Sequence, residues 1–210
     1  MLVAHWTFEV DSVNGRRVTD VSGGGMTAEL DDGVAVIPGR TGGALNFDGT
    51  GRAVLSVGPQ LVLNQFFGFT VAFSVRPEAP PDGSEWRAVL TKRVAEDDAR
   101  ALGFWLYPDA PRIRVQLFTS HGPEYVDSRR SVPAGTWTHL AFVVSPDGMF
   151  LYVDGQKDVA LPLEHAVVIP MGPIVLGGDD GRPGFTGLIE DLRVYATGLG
   201  DEAVRALADG

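Results

Sequence analysis

The chain contains no cysteine. Disulfide frameworks, thiolate metal sites and thiol nucleophiles are therefore excluded. No run of 18 apolar residues occurs in it, so no helix of membrane-crossing length is expected. Long stretches rich in Ala, Glu, Lys and Leu are missing as well, which argues against long helices and coiled coils. Basic residues are few, 17 against 27 acidic ones, and the formal net charge is −10. So acidic a surface excludes nucleic acid and anionic membrane as expected partners. There is no Gly-x-Ser-x-Gly elbow, no Gly-rich phosphate loop and no dinucleotide fingerprint. The four histidines, His5, His121, His139 and His165, show neither the i, i+4 nor the His-x-His spacing of zinc sites. Met1 leads directly into the strand-like "LVAHWTF", so no leader peptide is expected at this start.

What the sequence has in plenty is glycine (27) and proline (14). That composition favours many short strands joined by turns. A chain of 210 residues suits one all-β domain over 1–210 and buries well over half of its unfolded surface. Period-2 alternation, the mark of half-buried strands, recurs along it. Ala4, Trp6 and Phe8 share one face, and Phe69, Val71, Phe73 and Val75 another, with Thr70, Ala72 and Ser74 opposite. In "WTHLAFVVSPDGMFLYVDGQKDVAL" two Asp-Gly turns join three strands and fix their register. Turn and loop chemistry marks residues 21–25, 78–85, 95–98, 120–124 and 177–184. One short helix is expected at the tail, capped by Asp201, burying Val204 and Leu207 and plugging an edge or end of the sheets.

Two further strands, 101–107 and 112–118, form a candidate binding face. If Leu102, Phe104, Leu106, Ile113, Val115 and Leu117 point to the core, then Trp105, Tyr107, Arg112, Arg114 and Gln116 share the other side. Aromatic faces stack on the apolar side of sugar rings, while arginine and amide groups fix hydroxyls or an acid. The alternative is a face covered by a neighbouring loop, such as the one carrying Trp86. His121, in "SHGPEY", either lines a loop-built site or serves only the turn.

Five segments, in order, resemble the laminin G-like, concanavalin A-type jelly rolls, especially the bacterial branch related to pentraxins. They are "HWTFEVDSVNGRRVTDVSGGG", "GRTGGALNFDGTG", "FTVAFSVRP", "GTWTHLAFVVSPDGMFLYVDGQ" and "FTGLIEDLRVYATGLGDEAVRAL". The resemblance implies a two-sheet antiparallel jelly-roll sandwich with a short C-terminal helix. It also implies an extracellular or cell-surface setting. In that family the first loop, the Phe-Asp-Gly turn and the last strand come together and hold a structural calcium. Carried over here, the candidate ligands are Asp20, Asp48, Glu190 and Asp191. Two departures weigh against this: Gly23-Gly24-Gly25 stands where the family often has Asn, and Glu190 where Asp is usual. Without a metal, Asp20 and Asp48 shape Asx-type turns, and Glu190 or Asp191 pairs with an arginine. Pentraxin-like relatives also hold ligand through calcium in a loop, which points to Asp179 and Asp180 in "LGGDDGRPG"; otherwise that loop is merely polar.

Related jelly rolls include glycosidases with two carboxylates on one strand, as Glu-x-Asp-x-x-Glu. Nothing here has that spacing. The expectation is therefore a non-catalytic module that binds carbohydrate, a glycoprotein or another protein, with a structural or protein-interaction domain free of small ligands as the alternative.

Overall fold

The structure, a computed structural model, describes residues 1–56, 63, 65–94, 100–168 and 172–210. Among them the chain runs β1 (Leu2–Trp6), β2 (Val13–Asn14), β3 (Arg17–Thr19), β4 (Thr27–Leu30), β5 (Val34–Pro38) and β6 (Gly43–Asp48). It continues with β7 (Ala53–Leu55), β8 (Phe69–Pro77), β9 (Arg87–Arg93), β10 (Arg100–Leu106), β11 (Ile113–Thr119) and β12 (Gly122–Asp127). The last part holds β13 (Thr138–Ser145), β14 (Gly148–Val153), β15 (Gln156–Leu161), β16 (Ile174–Leu176), β17 (Thr186–Tyr195) and α1 (Asp201–Asp209). The expected loop at 95–98 lies outside the described residues.

Two antiparallel sheets result. One has the order β15-β14-β13-β8-β17-β6-β5, with β1 also on β17, and the other β12-β11-β10-β9-β16-β7-β4-β3-β2. The expected sandwich is thus present, as is the three-strand meander with its two Asp-Gly turns, β13 to β15. Alternation places Phe69, Val71, Phe73 and Val75 of β8 and Leu140, Phe142 and Val144 of β13 inward, all buried. They meet Leu102, Phe104, Ile113, Val115 and Leu117 from the second sheet. Phe104 bridges the layers, with its ring centroid 5.0 Å from Phe73 and 6.3 Å from Phe142, both edge-on. Edge-to-face pairs stabilise beyond their buried area, and removing such a ring typically costs about 3–5 kcal/mol.

Two expectations change. Residues 120–124 are not an extended loop: Thr119 pairs with Gly122, so β11 turns into β12 through Ser120 and His121 alone. Gly122 at φ 99° permits that reversal. The helix does form, but Gly200 occupies the cap position and Asp201 makes no capping bond. Asp201 instead accepts from Tyr152 Oη at 2.7 Å and pairs with Lys157 Nζ at 2.7 Å. These contacts hold the Asp201 carboxyl below the usual carboxylate range, Lys157 contributing most, and burial pushes the Tyr152 hydroxyl up. The helix packs on the outer face of the first sheet, over β13 and the edge strand β15. Val204 seats on Ala72, Ala141, Val143 and Tyr152, with Leu207 partly buried beside it.

Strand β17 has an unusual middle. Its first half pairs with β6, Thr186 opposite Asp48 through Ile189 opposite Leu45. Its second half pairs with β1, Leu192 opposite Trp6 through Tyr195 opposite Leu2. Asp191, in the left-handed region at φ 54°, marks the change of partner.

Candidate binding site

The site is built from rows of residues that cross β10, β11 and β12. Trp105 stands opposite Arg114, and Arg114 opposite Asp127. In the next row Gly103 stands opposite Gln116, and Gln116 opposite Tyr125. Because Ile113, Val115 and Leu117 are buried in the core, period 2 puts Arg114 and Gln116 on the outer face. The bare Gly103 matters here. A Cβ on it would lie 2.3 Å from Trp105 Nε1, so the indole lies flat over the strand only because that position has no side chain.

Above these rows is a recess of about 150 Å³, floored by Trp105 and Gln116 and walled by Trp86, Tyr125, Arg100, Arg114 and Arg182. Arg114 is its fixed centre. Nε donates to Asp127 Oδ1 at 2.6 Å, Nη2 to Asp127 Oδ2 at 2.8 Å, and Nη2 also to Tyr107 Oη at 3.1 Å. Its guanidinium carbon sits 4.6 Å from the Tyr125 ring and 4.9 Å from the Trp86 ring. The bidentate bond holds Asp127 below the usual carboxylate range and raises Arg114 above its own. Burial, then the Asp127 carboxylate, pushes the Tyr107 hydroxyl up. Gln116 Nε2 donates to the Arg100 carbonyl at 3.2 Å.

The other wall depends on Asp179. It is buried, because guanidinium groups surround it. Arg93 Nη2 donates to Oδ1 at 3.0 Å and Arg100 Nε to Oδ2 at 2.8 Å. Arg182 Nε stands 3.9 Å from Oδ2. Asp180 is exposed and pairs with Arg52, which holds its carboxyl low. Arg100 and Arg182 both place their guanidinium carbons 5.5 Å from the Trp105 ring.

Of the expected ligand-binding residues, Trp105, Arg114 and Gln116 thus line one recess, whereas Asp179 and Asp180 order its arginines from behind. Tyr107 and Arg112 lie one step along the strands, Tyr107 against Trp86 at 4.4 Å and Arg112 over Tyr107 at 4.6 Å. His121 lies at the tip of the β11–β12 turn, stacked on His165 at 4.0 Å, and takes no part in the recess. Trp105 is only 5% exposed, so the open aromatic surface comes from Tyr125 and Trp86 instead. Tyr125 had a sequence signal, alternating with Asp127 across "YVD". Arg100 and Arg182 had none, since a loop and a bulged strand end bring them in.

The four carboxylates considered for calcium are each occupied by hydrogen-bond donors. Asp20 accepts from the backbone N–H of His5, Ser22 and Gly24 at 2.7, 2.9 and 3.1 Å, and from the Ser22 hydroxyl at 2.8 Å. Asp48 accepts from Thr50 N and Oγ1, both at 2.8 Å, and from Gly51 N at 3.2 Å. The two Thr50 bonds keep its carboxyl low. Buried Glu190 takes the Arg40 N–H at 2.7 Å and lies 3.2 Å from Arg40 Nε. Asp191 lies 2.6 Å from His5 Nε2 and accepts from Arg193 Nε at 3.0 Å. The bonds to Asp48 and to Asp191 all fall on Oδ1, and Glu190 Oε1 is buried without a hydrogen bond. Among the described residues, no group of three or more His, Asp or Glu side chains is placed to hold one ion. The set does not fit a shared calcium.

Residues 48–205 match a laminin G family described as the concanavalin A-like lectin/glucanases superfamily. No curated protein matches the chain in sequence. Among solved structures, it is similar to domain 4 of a GH43 extracellular arabinanase from Geobacillus stearothermophilus in complex with arabinotriose. The identity there is 23%, the coverage 99% of this chain and 98% of that one, and the TM-score 0.75. It is also similar to the binding domain of botulinum neurotoxin serotype G, at 14% identity and TM-score 0.80, covering 99% of this chain and 50% of that one. A third likeness is to Trypanosoma rangeli sialidase in complex with the inhibitor DANA, at 20% identity and TM-score 0.75, covering 99% of this chain and 32% of that one. The chain therefore spans about half of the neurotoxin domain and a third of the sialidase. At such identities these likenesses concern the fold.

Proposed function

The chain belongs to the concanavalin A-like lectin/glucanase superfamily, and from that premise we propose that it is a non-catalytic binding module whose recess over Trp105 takes a glycan, free or on a glycoprotein. The observation that carries this reading is the lining of the recess, which combines aromatic rings with guanidinium and amide donors and, among the described residues, holds no carboxylate. Aromatic faces pack on the C–H faces of a sugar, and the donors fix its oxygens. A glycosidase needs two carboxyl groups facing each other across the scissile bond. The carboxylates beside this recess, Asp127 and Asp179, are engaged by arginines. The arabinotriose held by the arabinanase domain supports a sugar as the ligand class, and the extracellular origin of that enzyme supports a similar setting here.

The test is a calorimetric titration against a panel of neutral and acidic oligosaccharides, with Tyr125→Ala as the partner experiment. Saturable binding to a panel member that the variant weakens supports the reading. No binding to any member, with the fold verified by circular dichroism, removes it. A second reading rests on a different observation. Phe66 and Phe67 are 74% and 77% exposed side by side, a pairing that suits contact with another protein. Under that reading Phe67→Ser abolishes partner binding and Tyr125→Ala leaves it intact.

A further inference from the structure

Building on the glycan-binding reading, we infer that the recess selects sugars bearing an anionic group, a carboxylate or a sulfate, and that Arg182 is the residue that reads it. The protein as a whole is strongly acidic, at −10, yet three guanidinium groups, those of Arg100, Arg114 and Arg182, line this recess.

The carboxylate of Asp179 is shared unevenly. Arg93 and Arg100 take its two oxygens at hydrogen-bond distance. Arg182 stays at 3.9 Å, with its side chain 40% exposed, and among the described residues its guanidinium makes no hydrogen bond. A guanidinium carries five N–H donors in a planar fork that matches carboxylate and sulfate oxygens two at a time. Arg182 therefore presents both charge and donors to the recess, whereas Arg114 spends its charge on Asp127. Trp105 also lines the recess, 5% exposed, with its unpartnered Nε1 buried against Gly103. The volume of about 150 Å³ suits one six-membered ring, since a cavity of roughly this size holds benzene.

The experiment uses matched pairs that differ in charge: oligogalacturonate and its methyl ester, sialyllactose and lactose, and a heparin hexasaccharide and its desulfated form. Each is titrated into the intact chain at low and at physiological salt. The expected result is that the acidic member of at least one pair binds about tenfold or more tightly, the factor one charge-assisted hydrogen bond supplies. Salt weakens that binding, Arg182→Gln abolishes the preference, and Arg182→Lys keeps part of it. Preference in the first two pairs marks a carboxylate, and in the third a sulfate. If both members of each pair bind equally, the inference fails while the binding module stands. If the preference survives Arg182→Gln, the assignment to Arg182 fails. If no sugar of either charge binds, the glycan reading fails and takes this inference with it.

Discussion

His139 sits in β13, 3% exposed, opposite Ser74, and its Nδ1 has no partner. Burial, only partly offset by Asp191 and Asp154 and reinforced by Arg40 and Arg193, pushes its pKa down from 6.5 to about 4. Below pH 6.5 the unfolded chain takes up a proton that the folded chain refuses. The histidine should thus lower stability between pH 6.5 and 4, by about 3 kcal/mol in total, with its own contribution constant below 4. The lowered carboxylates Asp127, Asp191 and Asp201 act in a separate window, losing their contribution below about pH 4. Denaturant titrations across pH 7 to 4 check this, and His139→Leu should flatten that window. The alternation along β13 carries no signal of this missing hydrogen-bond partner. The same limit applied at Asp20 and Asp48. Their turn chemistry was legible in "TDVSGGG" and "FDGTG", but whether the oxygens face N–H groups or an ion is decided by backbone direction.

At the level of elements, strands and their faces were readable because alternation is local. The β11–β12 turn was not, since "SHGPEY" has loop composition and only Gly122 at φ 99° tightens it to two residues. Nor was the seat of α1. Its apolar positions 204 and 207 were clear, but what they cover depends on Ala72 and Ala141, small residues whose outward faces carry no signal of a partner. Val204→Ala should cost about 1–2 kcal/mol through lost packing and lower the melting temperature by roughly 2–6 °C. Differential scanning calorimetry reads it. Ala72 and Ala141 leave room for the helix, so substitution of either by Leu should cost more than the truncation.

On the scale of the whole molecule, one core joins both sheets, with residues from Val3 to Val194 in contact through it. Unfolding should therefore be a single transition whose calorimetric and van't Hoff enthalpies agree. A chelator such as EGTA should leave that midpoint unchanged, since among the described residues the four carboxylates do not converge on one ion site. Asp20→Ala, by contrast, strands backbone N–H groups in the first loop and should cost about 2 kcal/mol or more. A midpoint lowered by chelation in wild type, and insensitive to it in Asp20→Ala, would restore the metal. The binding recess was half legible at this scale: β10 and β11 supplied Trp105, Arg114 and Gln116 by alternation, but Arg100 and Arg182 arrive through chain segments 82 residues apart.

The change of partner along β17 has a consequence for how the protein is made. β1 leaves the ribosome nearly 190 residues ahead of the strand it pairs with. Until then β6 and β8 also lack the neighbour that comes to lie between them. From the end of β8 until β17 follows, the growing chain must carry three unsatisfied strand edges, and β17 acts as the keystone that closes them together. Pairings of such long separation form slowly and leave edges open to self-association. Chains interrupted before residue 186 should then be recovered as aggregates rather than as partly folded, soluble intermediates.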